Sequence, residues 1–378
     1  MKRIKKICFV ATNDLTIKLF LINHLRELVK IYNLTIITKT DNPNFLFDLG
    51  IPARVISLSF SRKINLINDL YCFIKLVQIF LINRFSLVHS ITPKAGFLAM
   101  LASFLTCIPV RIHSFTGQVW VTTSGAKRFI LKLIDKLVGM LATYNLVDSP
   151  SQRDFLVSNN VLYFNKATVF GSGSIAGVDI SKFNPNKKLH HKVKKELLIQ
   201  EKSFIFLYLG RITLDKGVLD LAKAFSMLED PNAFLVIVGP DEDHLSGTIR
   251  KICLNKLKNI RIVNFTNDPY KYLTSANVLC LPSYREGFGN VIIEAGAMSV
   301  PTIASKIYGI TDAIVDNKTG ILHKPGDIIA LKQAMNFFLQ DRSALKIMGN
   351  AAKMRVVEKF NSKKVTKNWM HFYKKCLL

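Results

Sequence analysis

The chain has 378 residues, of which 49% are hydrophobic and 21% charged, and it carries a net charge of +26 at pH 7. That length supports two or three domains with ample cores, and the composition excludes a disordered chain. The excess of 52 basic over 26 acidic residues calls for a polyanionic partner: nucleic acid, an anionic membrane surface or a phosphorylated substrate.

In chain order, IKKICFVAT reads as a first strand and FLINHLRELVKIY as a helix. The apolar run at this start is too short for a secretory signal. Two short β-rich runs follow, NLTIITKT and RVISLS. Residues 65–85 have helical spacing, SLVHSIT is a strand, AGFLAMLASFL a helix, and VRIHSFTG a strand opening into a glycine turn. Residues 95–110 are the longest uncharged apolar stretch. They fall short of the ~20 residues that span a bilayer, so a buried core helix is expected, with a shallow membrane contact as the alternative. Residues 126–144, AKRFILKLIDKLVGMLATY, set Lys127, Arg128, Lys132 and Lys136 among apolar residues at helical spacing. That pattern suits an anionic bilayer and a helix packed on its own domain equally well.

After Lys202 the alternation restarts. FIFLYLG is a strand, GVLDLAKAFSML a helix, FLVIVG a strand, HLSGTIRKICLNKL helical and IRIVNF a strand. A helix near 270–276, the strand NVLCLPS, a helix containing Glu294, the strands PTIAS and GILH, and two final helices complete the order. Ile- and Val-rich strands alternating with helices imply parallel sheets covered on both faces. The stretch GSGSIAGVDISKFNPNKKLHH suits a linker between two such blocks. Ligands of open α/β sheets bind beyond the carboxyl ends of the strands. The six cysteines form no CxxC and no Cys/His cluster; they read as free thiols in a reducing compartment.

Two constellations could carry chemistry. In LYLGRITLDKG, Gly210 and Arg211 end a strand, and Lys216 opens a helix with the glycine after it. A glycine turn there admits a ligand to the backbone, and two cations five residues apart suit a diphosphate; a solvated basic turn explains them as well. In SYREGFGNVIIEAG, Gly287 and Gly289 free the backbone before a helix, exposing amides of Phe288, Gly289 and Asn290. Glu286 stays in the turn and Glu294 lies about one turn inside the helix. Carboxylates so placed can each accept from adjacent sugar hydroxyls; taken alone, the stretch fits a capped helix with surface acids.

Together these motifs resemble glycosyltransferase family 4: GR and KG after a strand, then E-G-F-G-N-V-I-I-E behind a strand ending in PS. GVDISKF is similar to the family's interdomain segment, and RIHSFTGQVW with HSITPKAG to members building bacterial surface polysaccharides. The resemblance covers nearly the whole chain. It implies a retaining enzyme of GT-B fold, with two Rossmann-like α/β/α domains facing across a deep cleft. The boundaries expected are an acceptor-side domain at 1–175, a linker at 176–195, a nucleotide-sugar domain at 196–358 and a helix at 359–378 returning to the first domain. Arg211 and Lys216 match the pair that neutralises the donor diphosphate, Glu286 the acid on the donor sugar, and Glu294 the acid on the ribose. Gly210 and the amides of Gly287, Phe288, Gly289 and Asn290 match the donor loops, and His113 a histidine reaching the reacting sugar; on spacing alone His113 reads as a core residue.

Two departures stand out: ATNDLTIKLF lacks the glycine-rich loop found after the first strand in many relatives, and NFTNDPYKY lacks a glycine near the base-binding turn. Asp241 and Asp243 form a D-x-D that could share a metal with a diphosphate, yet the clamp cations already fill that need, so no cofactor and no metal are expected. The expected reaction moves a sugar from a UDP-sugar to a polyprenyl-diphosphate or other lipid-linked glycan, at the cytoplasmic face of the membrane. A nucleotide-sugar 2-epimerase of similar architecture and a basic polyanion-binding protein are the competing readings; no nucleic-acid module is recognisable.

Overall fold

The β-branched and aromatic runs become strands, and the alternation of strand with helix yields two parallel sheets. The computed structural model describes residues 4–61 and 64–377. It divides into two units, one comprising residues 1–176 with Ser362–Leu378, the other Gly177–Asn361.

In the first unit the strands are β1 (Lys6–Asn13), β2 (Asn33–Lys39), β3 (Arg54–Ser57), β4 (Leu87–Ile91), β5 (Val110–Phe115), β6 (Tyr144–Val147) and β7 (Ala167–Thr168). They pair in parallel in the order β3-β2-β1-β4-β5-β6-β7, with Ile7 opposite Leu34 on one side and Leu87 on the other. The helices are α1 (Asp14–Phe20), α2 (Ile22–Leu28), α3 (Leu66–Asn83), α4 (Pro93–Leu105), α5 (Gly125–Leu141) and α6 (Pro150–Ser158). Right-handed crossovers fix which face each helix covers. The β1-to-β2 step runs toward one edge and places α1 and α2 on one face, while the steps from β3 to β7 run the other way and place α3 to α6 on the opposite face. Residues 95–110 supply α4, whose Ala95, Leu98, Ala99 and Met100 are buried where it packs between α3 and α5.

The second unit contains β8 (Phe204–Leu209), β9 (Ala233–Val238), β10 (Ile260–Val263), β11 (Val278–Leu281), β12 (Thr302–Ser305) and β13 (Gly320–His323), ordered β10-β9-β8-β11-β12-β13. Its helices are α7 (Lys187–Glu196), α8 (Val218–Ser226), α9 (Ser246–Ile252), α10 (Pro269–Leu273), α11 (Asn290–Ala297), α12 (Ile310–Ala313), α13 (Ile328–Gln340) and α14 (Arg342–Arg355). Of the stretch expected as a linker, 176–195, all but Ala176 falls within this unit, and its second half is α7. Asn186 caps that helix by accepting from the Leu189 amide at 3.1 Å, and Leu189, Val193 and Leu197 repeat every four residues on its inner side. Lysines on the outer side disguised this amphipathic pattern as a basic linker.

A further helix, α15 (Ser362–Cys376), follows and belongs to the first unit. Its Trp369 stacks on His24 with ring centroids 4.6 Å apart and on His89 at 5.2 Å. His24 Nε2 donates to the Ile175 carbonyl at 2.7 Å, which leaves Nδ1 to accept from the Thr366 hydroxyl at 2.9 Å. All six cysteines are free; four are buried and Cys107 is exposed.

Candidate active site

The candidate residues of the second unit gather where two neighbouring strands end. β8 and β11 are adjacent in the sheet, so the loop after each reaches the other. After β8 the chain passes Gly210 and Arg211, makes a 3-10 turn over Leu214–Lys216, and enters α8 through Gly217. Gly217 has φ +68°, and a Cβ there would lie 2.1 Å from the Pro282 carbonyl oxygen of the β11 loop. Only glycine permits that approach. After β11, Ser283 to Gly289 form the second loop, and α11 begins at Asn290 behind Gly289, whose φ is +78°.

Three consecutive residues of the second loop bind the first loop or α8, the helix it leads into. The Tyr284 hydroxyl donates to Asp220 Oδ2 at 2.5 Å, Arg285 Nη2 to Asp215 Oδ2 at 2.6 Å, and Lys216 Nζ to Glu286 Oε1 at 2.6 Å. Ser283 adds a 3.0 Å hydrogen bond to the same Glu286 oxygen. Burial alone would raise the Asp215 carboxyl; hydrogen bonds from Thr213 and Arg285 and the charge of Lys216 outweigh it and hold the group below its ordinary range. Asp215 is therefore a fixed anion that sets where Arg285 and the loop lie.

Arg211 Nη1 donates to Glu242 Oε2 at 2.9 Å. Glu242 is the middle residue of the D-x-D, whose flanking acids are spent on backbone. Asp241 accepts from the Leu245 and Ser246 amides at 2.7 and 2.9 Å, and Asp243 from the Leu214 amide at 2.9 Å. Among the described residues no group of three or more His, Cys, Asp or Glu side chains could hold a metal ion. Glu294, the fifth residue of α11, keeps part of its surface open. Its carboxyl nevertheless sits deep enough that desolvation pushes its pKa up to about 7, with Lys182 pulling the other way. The buried ring of Phe288 packs against Phe360 and anchors the loop.

The family described as "Glycosyl transferases group 1" matches residues 190–355, which hold every one of these loops. The capsular polysaccharide biosynthesis glycosyltransferase CapM of Staphylococcus aureus is 33% identical over 314 residues, covering 82% of this chain and 81% of that one. The chain belongs to the group 1 glycosyltransferases. A second relative of this group 1 glycosyltransferase, the UDP-Gal:alpha-D-GlcNAc-diphosphoundecaprenol alpha-1,3-galactosyltransferase of Escherichia coli, is 28% identical over 79% of the chain and 78% of that protein. Among solved structures, Anabaena Alr3699/HepE in complex with UDP and glucose superposes with a TM-score of 0.82 at 16% identity, over 98% of this chain and 100% of that one. That likeness establishes the GT-B fold of two parallel-sheet α/β domains.

The first unit of this glycosyltransferase carries the remaining candidate. His113, on β5, is 3% exposed, and its Nδ1 lies 2.8 Å from Ser90 Oγ on β4. Its ring fills the space beside Gly96 of α4, where a Cβ would fall 2.3 Å from His113 Cε1. Burial pulls its pKa down to about 3, so the imidazole is neutral. At the position where the family resemblance leads one to expect a glycine-rich loop, Asn13 ends β1 in extended backbone and caps α1, its Oδ1 accepting from the Thr16 amide at 3.0 Å. Strand passes straight to helix, and no glycine is required.

Sequence reasoning missed Glu242, Asp215, Arg285 and Tyr284. The D-x-D spacing points to the flanking aspartates, whereas the residue facing Arg211 is the glutamate between them. It also missed Thr92, which connects β4 to α4 with φ +77° and holds its Oγ1 2.7 Å from that of Thr12. A β-branched residue in that region is strained, and nothing in HSITPKAG beyond the following proline signals it.

Proposed function

We propose that this glycosyltransferase transfers a hexose or N-acetylhexosamine from a UDP-sugar to a lipid-diphosphate-linked saccharide during assembly of a bacterial surface polysaccharide, with retention of configuration. The observation that carries the proposal is the pairing of both clamp cations with carboxylates, Lys216 with Glu286 and Arg211 with Glu242, at the ends of neighbouring strands. The names of the Staphylococcus aureus and Escherichia coli relatives, and the UDP in the Anabaena structure, support donor and acceptor class.

In this reading the donor diphosphate joins a site of fixed charge. Lys216 has three N–H donors and gives one to Glu286 at 2.6 Å and a second, longer one to the Arg285 carbonyl at 3.5 Å, which leaves one for the β-phosphate. Negative charge grows on that phosphate as the glycosidic bond breaks. Lys216, Arg211 and the amides of Phe288, Gly289 and Asn290 then stabilise the transition state more than the ground state. Glu286, held by Lys216 and Ser283, accepts from the donor-sugar hydroxyls, and Glu294 accepts from the ribose. His113 contributes a hydrogen bond from a neutral imidazole. The acceptor hydroxyl attacks from the face the leaving group vacates, and the leaving phosphate takes its proton. No bound cofactor enters these steps. The basic excess attracts the anionic inner surface of the cytoplasmic membrane, where such acceptors reside.

The deciding experiment supplies UDP-, GDP- and dTDP-sugars with membrane extract and scores radiolabel in extracted lipid. UDP-sugar-dependent labelling with the donor's anomeric configuration retained is the expected outcome. Isomerised nucleotide sugar without an acceptor would instead identify an epimerase, and a glycosyl–Glu286 adduct would overturn front-face attack.

A further inference from the structure

Helix α3 combines great length with little burial. It is the one helix among the described residues long and apolar enough to cross a membrane, yet it buries Cys72, Leu76 and Phe80 against the sheet. It therefore lies along the unit rather than leaving it. Its outward stripe is apolar: Ile67 is 86% exposed, Leu70 59%, Ile74 47% and Ile82 79%. The single polar residue in that stripe is Gln78. An apolar stripe left to water along a whole helix marks a contact surface.

The charges around it indicate what covers it. No Asp or Glu occurs between Asp69 and Asp135. Asp69 is held by Lys94 at 2.8 Å, and Asp135 is buried beneath the Trp120 indole at 2.8 Å. On the same side of the sheet α5 exposes Phe129, Leu133 and Met140 together with Lys127 and Lys136, and α4 lies between the two helices. Across α3, α4 and α5 the face thus presents apolar side chains and cations with no exposed carboxylate, and the exposed acid of the neighbouring α6, Asp154, is paired with Arg153 at 3.2 Å. The first unit carries 26 Lys and Arg against eight Asp and Glu, and this charge opposes burying the face against a second copy. Apolar side chains flanked by unneutralised lysine and arginine match an anionic bilayer surface, which takes the former among its acyl chains and the latter at its phosphates.

We propose that α3 is the principal element by which the first unit docks on anionic phospholipid, lying in the plane of the interface with Ile67, Leu70, Ile74 and Ile82 inserted. This rests on the membrane association proposed above and changes its centre. The basic helix α5 that the sequence singles out is the flank, and α3, with one lysine, is the anchor.

The test is co-sedimentation of the full chain with sucrose-loaded vesicles of phosphatidylcholine alone or with 30% phosphatidylglycerol. Wild type is compared with Ile67→Glu/Ile82→Gln on α3 and Phe129→Ser/Leu133→Ser on α5. The expected result is binding to the anionic vesicles only, weakened at least tenfold in the α3 variant and less than threefold in the α5 variant, with unaltered melting temperatures. If wild type ignores both vesicles, the membrane association itself fails, and the inference with it. If wild type binds and the α5 variant alone loses binding, membrane association stands and the role of α3 is overturned. That role is overturned equally if the α3 variant merely converts a dimer to monomers while vesicle binding persists.

Discussion

Lys216 Nζ lies 2.6 Å from Glu286 Oε1, joining the loop that ends β8 to the loop that ends β11. Both side chains are only 14% exposed, so the pair is a shielded hinge pin rather than a surface ion pair. Loss of either partner is expected to act differently. In the proposed reading, Lys216→Ala removes the cation beside the leaving phosphate and is expected to lower kcat/KM by about 10²–10³-fold, with UDP affinity falling too. Glu286→Gln keeps the shape and lowers kcat on the order of 10²-fold while UDP binding by calorimetry stays within a few-fold of wild type. Equal loss of UDP affinity in both variants would contradict the separate roles.

In the proposed reading, Glu242 occupies the guanidinium of Arg211 that the donor diphosphate would use. The pair is about a third exposed on each side, and such pairs are worth up to about 1 kcal/mol. Glu242→Gln should therefore free Arg211 and tighten UDP binding by about 2- to 5-fold, without loss of fold. Weaker binding by the variant would show that Glu242 orients Arg211 instead of competing for it.

Glu294 and the buried histidines give stability opposite pH dependences. The Glu294 carboxyl is raised to about 7 in the fold, against ~4.3 for an unfolded chain. Its contribution is complete below pH 4.3 and is lost as pH rises to 7. Glu294→Gln should match wild-type stability at pH 4 and exceed it by about 1–3 kcal/mol at pH 8, as urea unfolding would reveal.

His24 behaves the other way. Burial pulls its pKa down to about 4, the Ile175 hydrogen bond only partly restoring it. Below pH 6.5 the unfolded chain takes up a proton that the folded one refuses, so stability falls until pH 4, by about 3 kcal/mol for this residue alone. Tryptophan fluorescence should report acid unfolding of the first unit in that window, since Trp369 stacks on the same ring. An unchanged midpoint between pH 6.5 and 5 would refute it.

Gly217→Ala places a methyl group 2.1 Å from the Pro282 oxygen at a φ of +68°. Two stiff backbones meet there, and neither can rotate away. The expected cost is about 2–4 kcal/mol, together with loss of activity as the β8 and β11 loops separate. A variant as stable and active as wild type would mean the loops are not held in this register.

Most of the fold was legible because strand and helix periods differ and both units repeat the same alternation. The loops at Gly210–Lys216 and Glu286–Asn290 were legible because glycines and charges at strand ends are local features. What escaped was non-local: Glu242 facing Arg211 across 31 positions, Arg285 facing Asp215 across 70, and the stripe on α3. Burial of α4 and exposure of α3 differ through packing, not composition. A run without charge at 95–110 became core over 95–103, with Phe104 and Leu105 exposed beyond it, while one containing Asp69 and Lys75 kept its apolar side outside.

The return of α15 to the first unit has a consequence for biosynthesis. Trp369, His24 and Ile175 meet only after some 200 residues beyond the first sheet have been made, roughly 10–40 s on a ribosome adding 5–20 residues per second. Through that interval the β-sheet face beneath Trp369 is uncovered, whereas the second unit can close on its own residues. A nascent chain paused in the second unit therefore exposes Phe9, Leu25 and Leu28, and is the form a chaperone would be called on to hold.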